Sequence, residues 1–265
     1  MLAGYRNLDR KSLREILIVG NWKMNTSVSE ARDLASSMIK GASGINGVTR
    51  VICPPFTSLA LLSEIFNGTG IRVGAQNLHY EDHGAYTGEI SASMLAELCE
   101  YVIVGHSERR LFFKETDDMI SNKLGAAIKV GLKPILCVGE TAEQRDEEIA
   151  GDIVRSQIER GLGDVQVGKD LVVAYEPVWA IGTGKVANPT DAQSMMSLIR
   201  RIISESCGEA SALSVCLLYG GSVKADNVAN FVEQPDVDGV LVGGASLKAH
   251  SFMELVSNAA KVVGQ

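Results

Sequence analysis

Three groups capable of proton chemistry stand at the ends of apolar runs in this chain of 265 residues. Glu176 closes the sixth such run, in Ala174-Tyr175-Glu176-Pro177. A carboxylate held where a buried strand opens into a cleft can have a raised pKa and act as a general base. An isolated glutamate in that place reads first as a surface residue starting a loop, but the adjoining segment changes the reading. Pro177-Val178-Trp179-Ala180-Ile181-Gly182-Thr183-Gly184-Lys185 has a rigid Pro at one end, two glycines at the other and an apolar tip. An exposed Trp and Ile are poorly explained by a plain surface loop and well explained by a lid that closes over a ligand.

His106 ends the fourth run and precedes Ser107-Glu108-Arg109-Arg110, which reads as the start of a helix. A lone histidine is more often structural than catalytic. At a helix N-terminus, however, its pKa falls, and the neutral ring can donate a hydrogen bond to a substrate oxygen. Lys23 follows the first run in Gly20-Asn21-Trp22-Lys23-Met24-Asn25. Lysines at strand ends are usually solvated; one beside a Trp and two Asn can instead be held in a site. Two glycine pairs, Gly220-Gly221 before Ser222 and Gly243-Gly244 before Ala245, follow the last two runs. Glycines at helix starts let backbone N–H groups approach a phosphate closely, and a pair after each of the last two strands matches the common phosphate site of barrel enzymes.

These residues need a frame that brings run ends together. Eight apolar runs recur: Ile16–Trp22, Val48–Cys53, Ile71–Asn77, Tyr101–His106, Pro134–Val138, Leu171–Glu176, Val215–Tyr219 and Gly239–Val242. Near-continuous Val/Ile/Leu runs suit parallel strands buried on both faces. Their starts lie about 20 to 45 residues apart, room for one crossover helix each. Ser27-x-x-Glu30 and Thr190-x-x-Gln193 have the spacing of capping boxes, and Gly131 and Gly163 sit where helices should stop. The pattern predicts an α/β fold, a closed (β/α)8 barrel, with an open doubly wound sheet as the alternative. The barrel is favoured because Asn21, Lys23, Gln76, Asn77, His106, Glu176 and the glycine pairs all fall at the C-terminal ends of strands. No Pro/Ser linker, charge block or low-complexity tract divides the chain, so residues 1–15 read as an N-terminal extension and 16–265 as one barrel domain.

Composition narrows the class. With 46% hydrophobic and 22% charged residues the chain can bury a large core and stay soluble. A net charge of −7 argues against a broad nucleic-acid footprint without excluding a small anionic substrate. No apolar run is long enough to span a membrane or to serve as a signal peptide. Arg6, Arg10, Lys11 and Arg14 lend the first residues some transit-peptide character, which Asp9 and Glu15 oppose. Five widely spaced cysteines without a C-x-x-C fit reduced thiols of a cytoplasmic protein. His79-x-x-x-His83 lies in a polar loop, so ligand spacing on one helix face is not available, and no metal or other cofactor is expected.

Long motifs in this order closely resemble the triosephosphate isomerase family: Asn21-Trp22-Lys23-Met24-Asn25, Gly84-Ala85-Tyr86-Thr87-Gly88-Glu89, Gly105-His106-Ser107-Glu108-Arg109-Arg110, Ala174 through Gly184, Tyr219-Gly220-Gly221-Ser222-Val223 and Val242-Gly243-Gly244-Ala245-Ser246-Leu247. The resemblance runs from about residue 16 to the end of the sequence. It implies interconversion of dihydroxyacetone phosphate and D-glyceraldehyde 3-phosphate through an enediolate, in glycolysis and gluconeogenesis, by a cofactor-free homodimer. It also implies roles. Glu176 is the base and neutral His106 the electrophile, an acid–base tuning familiar for this family. Lys23 and Asn21 favour the enediolate, and Glu108 orients Lys23. The N–H groups of Gly182, Ser222, Gly243 and Gly244 hold the phosphate. Pro177, Trp179 and Ile181 belong to the lid, Ile181 and Leu241 desolvate Glu176, and Tyr219 and Ser222 bond the closed lid. Cys137 packs beside Glu176, and the loop carrying Tyr86 and Thr87 enters a partner subunit.

Three features depart from the family: Lys114 where Gly is usual, Cys216 where Arg is usual, and a longer N-terminal extension. The Cys216 change predicts a lost structural ion pair. A metal-assisted pentose-phosphate epimerase and a non-catalytic barrel are the rival readings. The Glu176, His106 and Lys23 trio opposes the first, and the absence of any lost catalytic residue opposes the second.

Overall fold

The computed structural model describes residues 14–42, 44–180 and 188–263. Eight parallel strands close on themselves in sequence order. They are β1 (Ile16–Asn21), β2 (Val48–Cys53), β3 (Ile71–Ala75), β4 (Tyr101–Val104), β5 (Lys133–Val138), β6 (Val172–Tyr175), β7 (Cys216–Tyr219) and β8 (Gly239–Val242). The seam pairs β1 with β8, Leu17 opposite Gly239 and Gly20 opposite Val242. Eleven described helices surround them: α1 (Val28–Gly41), α2 (Phe56–Phe66), α3 (Ala92–Ala96), α4 (Ser107–Phe112), α5 (Asp117–Lys129), α6 (Ala142–Asp146), α7 (Ala150–Leu162), α8 (Pro189–Cys207), α9 (Glu209–Ser214), α10 (Val228–Val232) and α11 (Ala249–Val263). The closed barrel removes the open-sheet alternative.

The strands are largely apolar on both faces because each face has its own core; Thr49 and Arg50 in β2 and Arg72 in β3 are polar interruptions near the strand starts. Leu17, Val19, Val51, Ile103, Ile135 and Leu218 fill the barrel interior. The alternate residues Ile18, Ile52, Val102, Leu136, Val173 and Leu217 pack outward against the helices. At about 25 cal/mol per Å² of apolar surface, these two layers supply the main drive for folding. Four of the eight strands, β1, β3, β4 and β6, stop one or two residues short of the predicted ends. Trp22, Gln76, Asn77, Gly105, His106 and Glu176 have left the ladder, and of these His106 and Glu176 line the mouth of the barrel.

The helix ends show which local signals were decisive. At α1 the capping box forms in both directions, with the Ser27 N–H donating to Glu30 Oε2 at 2.7 Å. At α8 the predicted Thr190 cap is corrected: Asn188 caps the helix, its Oδ1 accepting the Asp191 N–H at 2.8 Å. Pro189 decides this, since its fixed φ and missing N–H suit the first helical position and place Thr190 inside the turn. Gly131 and Gly163 follow α5 and α7 with φ of +83° and +46°, as expected of helix stops. Lys114 takes φ +57°, a left-handed conformation that costs a side-chain-bearing residue energy and that glycine adopts freely.

The floor of the barrel keeps its ion pairs without an arginine at 216. Asp238 is fully buried; one oxygen takes Arg14 Nε at 2.7 Å and the other takes Arg200 Nη2 at 2.9 Å. The Leu217 N–H also donates to Asp238 at 3.0 Å. Cys216 is buried, and its Sγ lies 3.6 Å from the Glu15 carbonyl. Arg14 and Glu15 therefore tie the predicted extension to the barrel. Arg14→Leu is expected to lower stability by about 3 kcal/mol, the low end for breaking a buried pair because Arg200 remains. Urea unfolding checks this, and an unchanged midpoint would show that the Arg14 contact carries no stability.

Candidate active site

Most of the polar residues at the strand ends converge on one cavity of about 780 Å³, and Gln76 and Asn77 are the ones that do not line it. Asn21, Lys23, His106, Glu176, Ser222, Leu241, Gly243 and Gly244 all line it. They come from β1, β4, β6, β7 and β8, so the closed barrel is what assembles them.

Glu176 sits one residue beyond β6, 2% exposed, with its own N–H donated to the Val138 carbonyl at 2.7 Å. Its Oε1 lies 2.9 Å from His106 Nε2, and its Oε2 accepts the Ser107 N–H at 2.9 Å. His106 is the N-cap of α4, and its Nδ1 accepts the Glu108 N–H at 3.3 Å. With Nδ1 used as an acceptor, the proton of the neutral ring sits on Nε2.

The expected raised base and depressed imidazole are not what this arrangement holds. Burial opposes charge on both groups, but each is the other's partner. For His106, burial is outweighed by the adjoining carboxylate of Glu176, and the ring is held above its ordinary pKa. For Glu176, burial is outweighed by His106 and the Ser107 N–H, and the carboxyl is held below its ordinary value. The physical reason is mutual pairing at 2.9 Å, a contact that spacing along the chain cannot reveal.

Lys23 points into the same cavity, its Nζ 2.6 Å from Glu108 Oε1, which is the predicted orienting pair. Its backbone has φ +53°. That conformation is supported from both sides. The Lys23 N–H donates to Asn21 Oδ1 at 3.0 Å, and Gln76 Nε2 donates to the carbonyls of Lys23 and Cys53, each at 2.9 Å. Opposite stands the glycine-rich wall. A Cβ added at Gly243 would meet Lys23 Cε at 3.3 Å, which places the ammonium stem directly against the second glycine pair.

Of the lid, the described part is its first turn. Ile181 and Gly182 lie outside the described residues, as do Thr183, Gly184 and Lys185. Pro177 is buried, and Trp179 is half-buried rather than exposed at a tip. The indole Nε1 donates to Glu140 Oε1 at 2.9 Å, and the Arg145 guanidinium stacks over the ring at 4.5 Å. Ser222 Oγ donates to the Ala180 carbonyl at 3.5 Å, so loop β7–α10 already touches the lid. Tyr219 is buried and stacks on Phe231 at 4.5 Å. Cys137 is buried beside Glu176, its thiol pushed far up by burial and by that carboxylate, which excludes a nucleophilic thiolate at neutral pH. Tyr86 and Thr87 are exposed and do not line the cavity; Tyr86 packs on the His79 ring at 4.5 Å.

Sequence reasoning misses Glu140. Fully buried beyond β5, its Oε1 accepts from Tyr175 at 3.0 Å, Trp179 at 2.9 Å and Arg145 at 3.2 Å. It anchors the start of the lid to the barrel. The one signal for it is its place in Val138-Gly139-Glu140-Thr141, a polar residue just past a strand like the others singled out.

Comparison with known proteins agrees with this geometry. The family model for triosephosphate isomerase matches residues 16–259. A triosephosphate isomerase of Dehalococcoides mccartyi is 46% identical over 250 residues, covering 94% of this chain and 98% of that protein. Those of Roseiflexus castenholzii and Moorella thermoacetica are 48% and 49% identical over 248 residues, covering 92% of this chain and 97% and 99% of theirs. With its closed barrel, its convergent strand ends and a family match over nearly its whole length, this chain belongs to the triosephosphate isomerase family.

Proposed function

We propose that this chain interconverts dihydroxyacetone phosphate and D-glyceraldehyde 3-phosphate, with Glu176 moving the proton and His106 and Lys23 holding the developing enediolate. The observation that carries the reading is the meeting of Glu176, His106 and Lys23 with the glycine pairs in one cavity. The phosphate lies against the N–H groups of Ser222, Gly243 and Gly244, with Gly182 completing the set from the lid. The carbonyl oxygen faces His106 Nε2–H, with Lys23 Nζ and Asn21 nearby. The Glu176 carboxylate exchanges its bonds to His106 and Ser107 for the substrate C–H, takes the proton from one carbon and returns it to the next. An enediolate formed between an imidazole N–H and an ammonium is stabilised where its charge appears. Leu241 and the closing lid exclude water, which keeps the intermediate from losing its phosphate.

The reaction needs no metal or redox cofactor. The purified chain is therefore expected to isomerise dihydroxyacetone phosphate at an undiminished rate in excess EDTA. A coupled assay that finds no conversion, or conversion abolished by the chelator, would sink the reading.

The chain is proposed to act in glycolysis and gluconeogenesis in the cytoplasm, where its five free thiols stay reduced. No helix among the described residues is long and apolar enough to cross a membrane. Residues 16–265 serve as one catalytic domain, preceded by the extension of residues 1–15. The working form is a homodimer. Met24 (97% exposed), Tyr86, Phe112 and Phe113 present exposed apolar side chains on the segments after β1, β3 and β4, all at the C-terminal end of the barrel. A patch of that kind marks an interface. Thr87→Arg, which sets a charge beside Tyr86, is expected to give monomers with greatly reduced activity. Sedimentation at assay concentration checks this; fully active monomers would uncouple the loop from the site.

A further inference from the structure

Gln157, on α7, has no part in the chemistry above, yet its side chain makes two hydrogen bonds to one residue just past β5. Its Oε1 accepts the Gly139 N–H at 2.7 Å and its Nε2 donates to the Gly139 carbonyl at 3.1 Å. Alternation along the strand explains the pairing, since successive residues turn their N–H and C=O groups to opposite neighbours. The Val138 carbonyl accepts the Glu176 N–H at 2.7 Å, and the Glu140 carbonyl accepts the Val178 N–H at 3.1 Å. Residues 138 and 140 therefore face β6, and Cys137 and Gly139 face the side of β4. But β4 ends at Val104, opposite Leu136, and the chain then turns away through His106 into α4. Beyond that point β5 has no strand on this side among the described residues. Arg110 Nη2 donates to the Cys137 carbonyl at 3.2 Å, and the Gln157 amide takes both groups of Gly139.

Just past β5, Gly139 also packs tightly against the backbone of the base. A Cβ built there would stand 1.8 Å from the Glu176 carbonyl oxygen. The Gly139 peptide cannot tilt toward β6 without displacing Glu176, and a tilt away opens the two ladder bonds on either side.

We propose that Gln157 is a positioning residue for proton transfer. Its amide stands in for the strand that β4 does not supply, so that the β5–β6 ladder runs on through Glu176 and Val178 and fixes the base and the first residues of the lid. The inference rests on Glu176 being the base. Gln157 lines no part of the cavity, and the phosphate wall hangs on β7 and β8. Its loss therefore acts on turnover and spares phosphate affinity.

Gln157→Met keeps the side chain's bulk and removes both bonds. Gln157→Glu keeps the acceptor and turns a second acceptor on the Gly139 carbonyl. Both are measured with dihydroxyacetone phosphate as substrate and inorganic phosphate as competitive inhibitor, alongside Glu176→Asp and the double variant Gln157→Met/Glu176→Asp. In Gln157→Met, kcat is expected to fall about 10-fold or more, since sub-ångström to 1 Å misplacement of a reacting group has effects up to about 100-fold. KM and the phosphate Ki should stay within about 3-fold. Gln157→Glu should lie between Gln157→Met and the native chain. In the Glu176→Asp background Gln157→Met should cost much less, because a carboxylate already withdrawn has less alignment to lose. Native kcat in both Gln157 variants, a loss that multiplies fully with Glu176→Asp, or a rise of KM and Ki in step with the fall in kcat overturns the proposal. If far-UV circular dichroism shows Gln157→Met unfolded, the same split between kcat and Ki is read from Gln157→Glu. Full activity in Glu176→Asp would instead remove the base assignment, and this inference with it.

Discussion

Glu176→Gln is expected to cut kcat by about 10²- to 10⁴-fold, the range a positioned general base contributes, while leaving the barrel folded. The amide has nearly the shape of the carboxylate, and its oxygen can still accept the Ser107 N–H that now lies 2.9 Å from Oε2. What it lacks is a site for the abstracted proton. Some stability should be lost as well. Glu176 is 2% exposed, but pairing with His106 and the Ser107 N–H outweighs burial and holds the carboxyl below its ordinary value. At neutral pH the ionised group therefore contributes stability that the amide does not. The melting temperature of Glu176→Gln is expected to lie below that of the native chain at about pH 7, with the gap closing as pH falls and the native carboxylate is protonated. Running the reaction in deuterated water separates chemistry from binding: the residual turnover should incorporate solvent deuterium far more slowly than the native enzyme. Activity within a few-fold of native would mean that another group carries the proton.

Lys23→Ala is expected to reduce kcat/KM by about 10² to 10³, the effect of removing one preorganised donor to a developing oxyanion. The ammonium lies at the cavity wall beside Gly243 and is held 2.6 Å from Glu108. Without it, a phosphate dianion enters a chain of net charge −7 past a Glu108 carboxylate that has lost its partner. Both KM and the Ki of inorganic phosphate should rise, unlike the Gln157 variants. Lys23→Arg should not restore activity, because the guanidinium is larger and planar and the site offers a point contact. Inhibition by phosphate at native strength would show that Lys23 does not face the anion.

The groups that react are legible in the sequence because they stand where apolar runs stop. His106, Glu176, Lys23 and the glycine pairs break the strand pattern, and closure of the barrel brings those breaks together. How the groups pair in space is not legible. The 2.9 Å contact between His106 and Glu176 joins residues of two different strands and reverses the expected direction of both pKa shifts. Glu140 and Gln157 are equally hidden, since a polar residue past a strand and a glutamine on a helix carry no signal until their partners are known. Arg14 reads as part of an extension, and only its bond to buried Asp238 shows it to be structural. At α8 the capping-box spacing points to Thr190, and the conformational bias of Pro189 places the cap at Asn188 instead.

The seam between β1 and β8 also bears on how the chain is made. Asn21 ends the first strand, Lys23 follows it, and Gly243 and Gly244 follow the last, so the contributing residues span nearly the whole chain. A ribosome releases the lysine early and the second glycine pair almost at the end, at about 5–20 residues per second. Until β8 emerges and pairs with β1, Leu17 and Val19 have an open flank and the cavity lacks its phosphate wall. Every incomplete nascent chain is thus catalytically silent, and its unclosed edge is a surface that a chaperone or another unfinished copy can pair with. Contacts this distant in sequence form late and slowly. The cavity is therefore completed in a single late event, the closing of the ring, and turnover waits on that closure and then on the meeting of two closed copies.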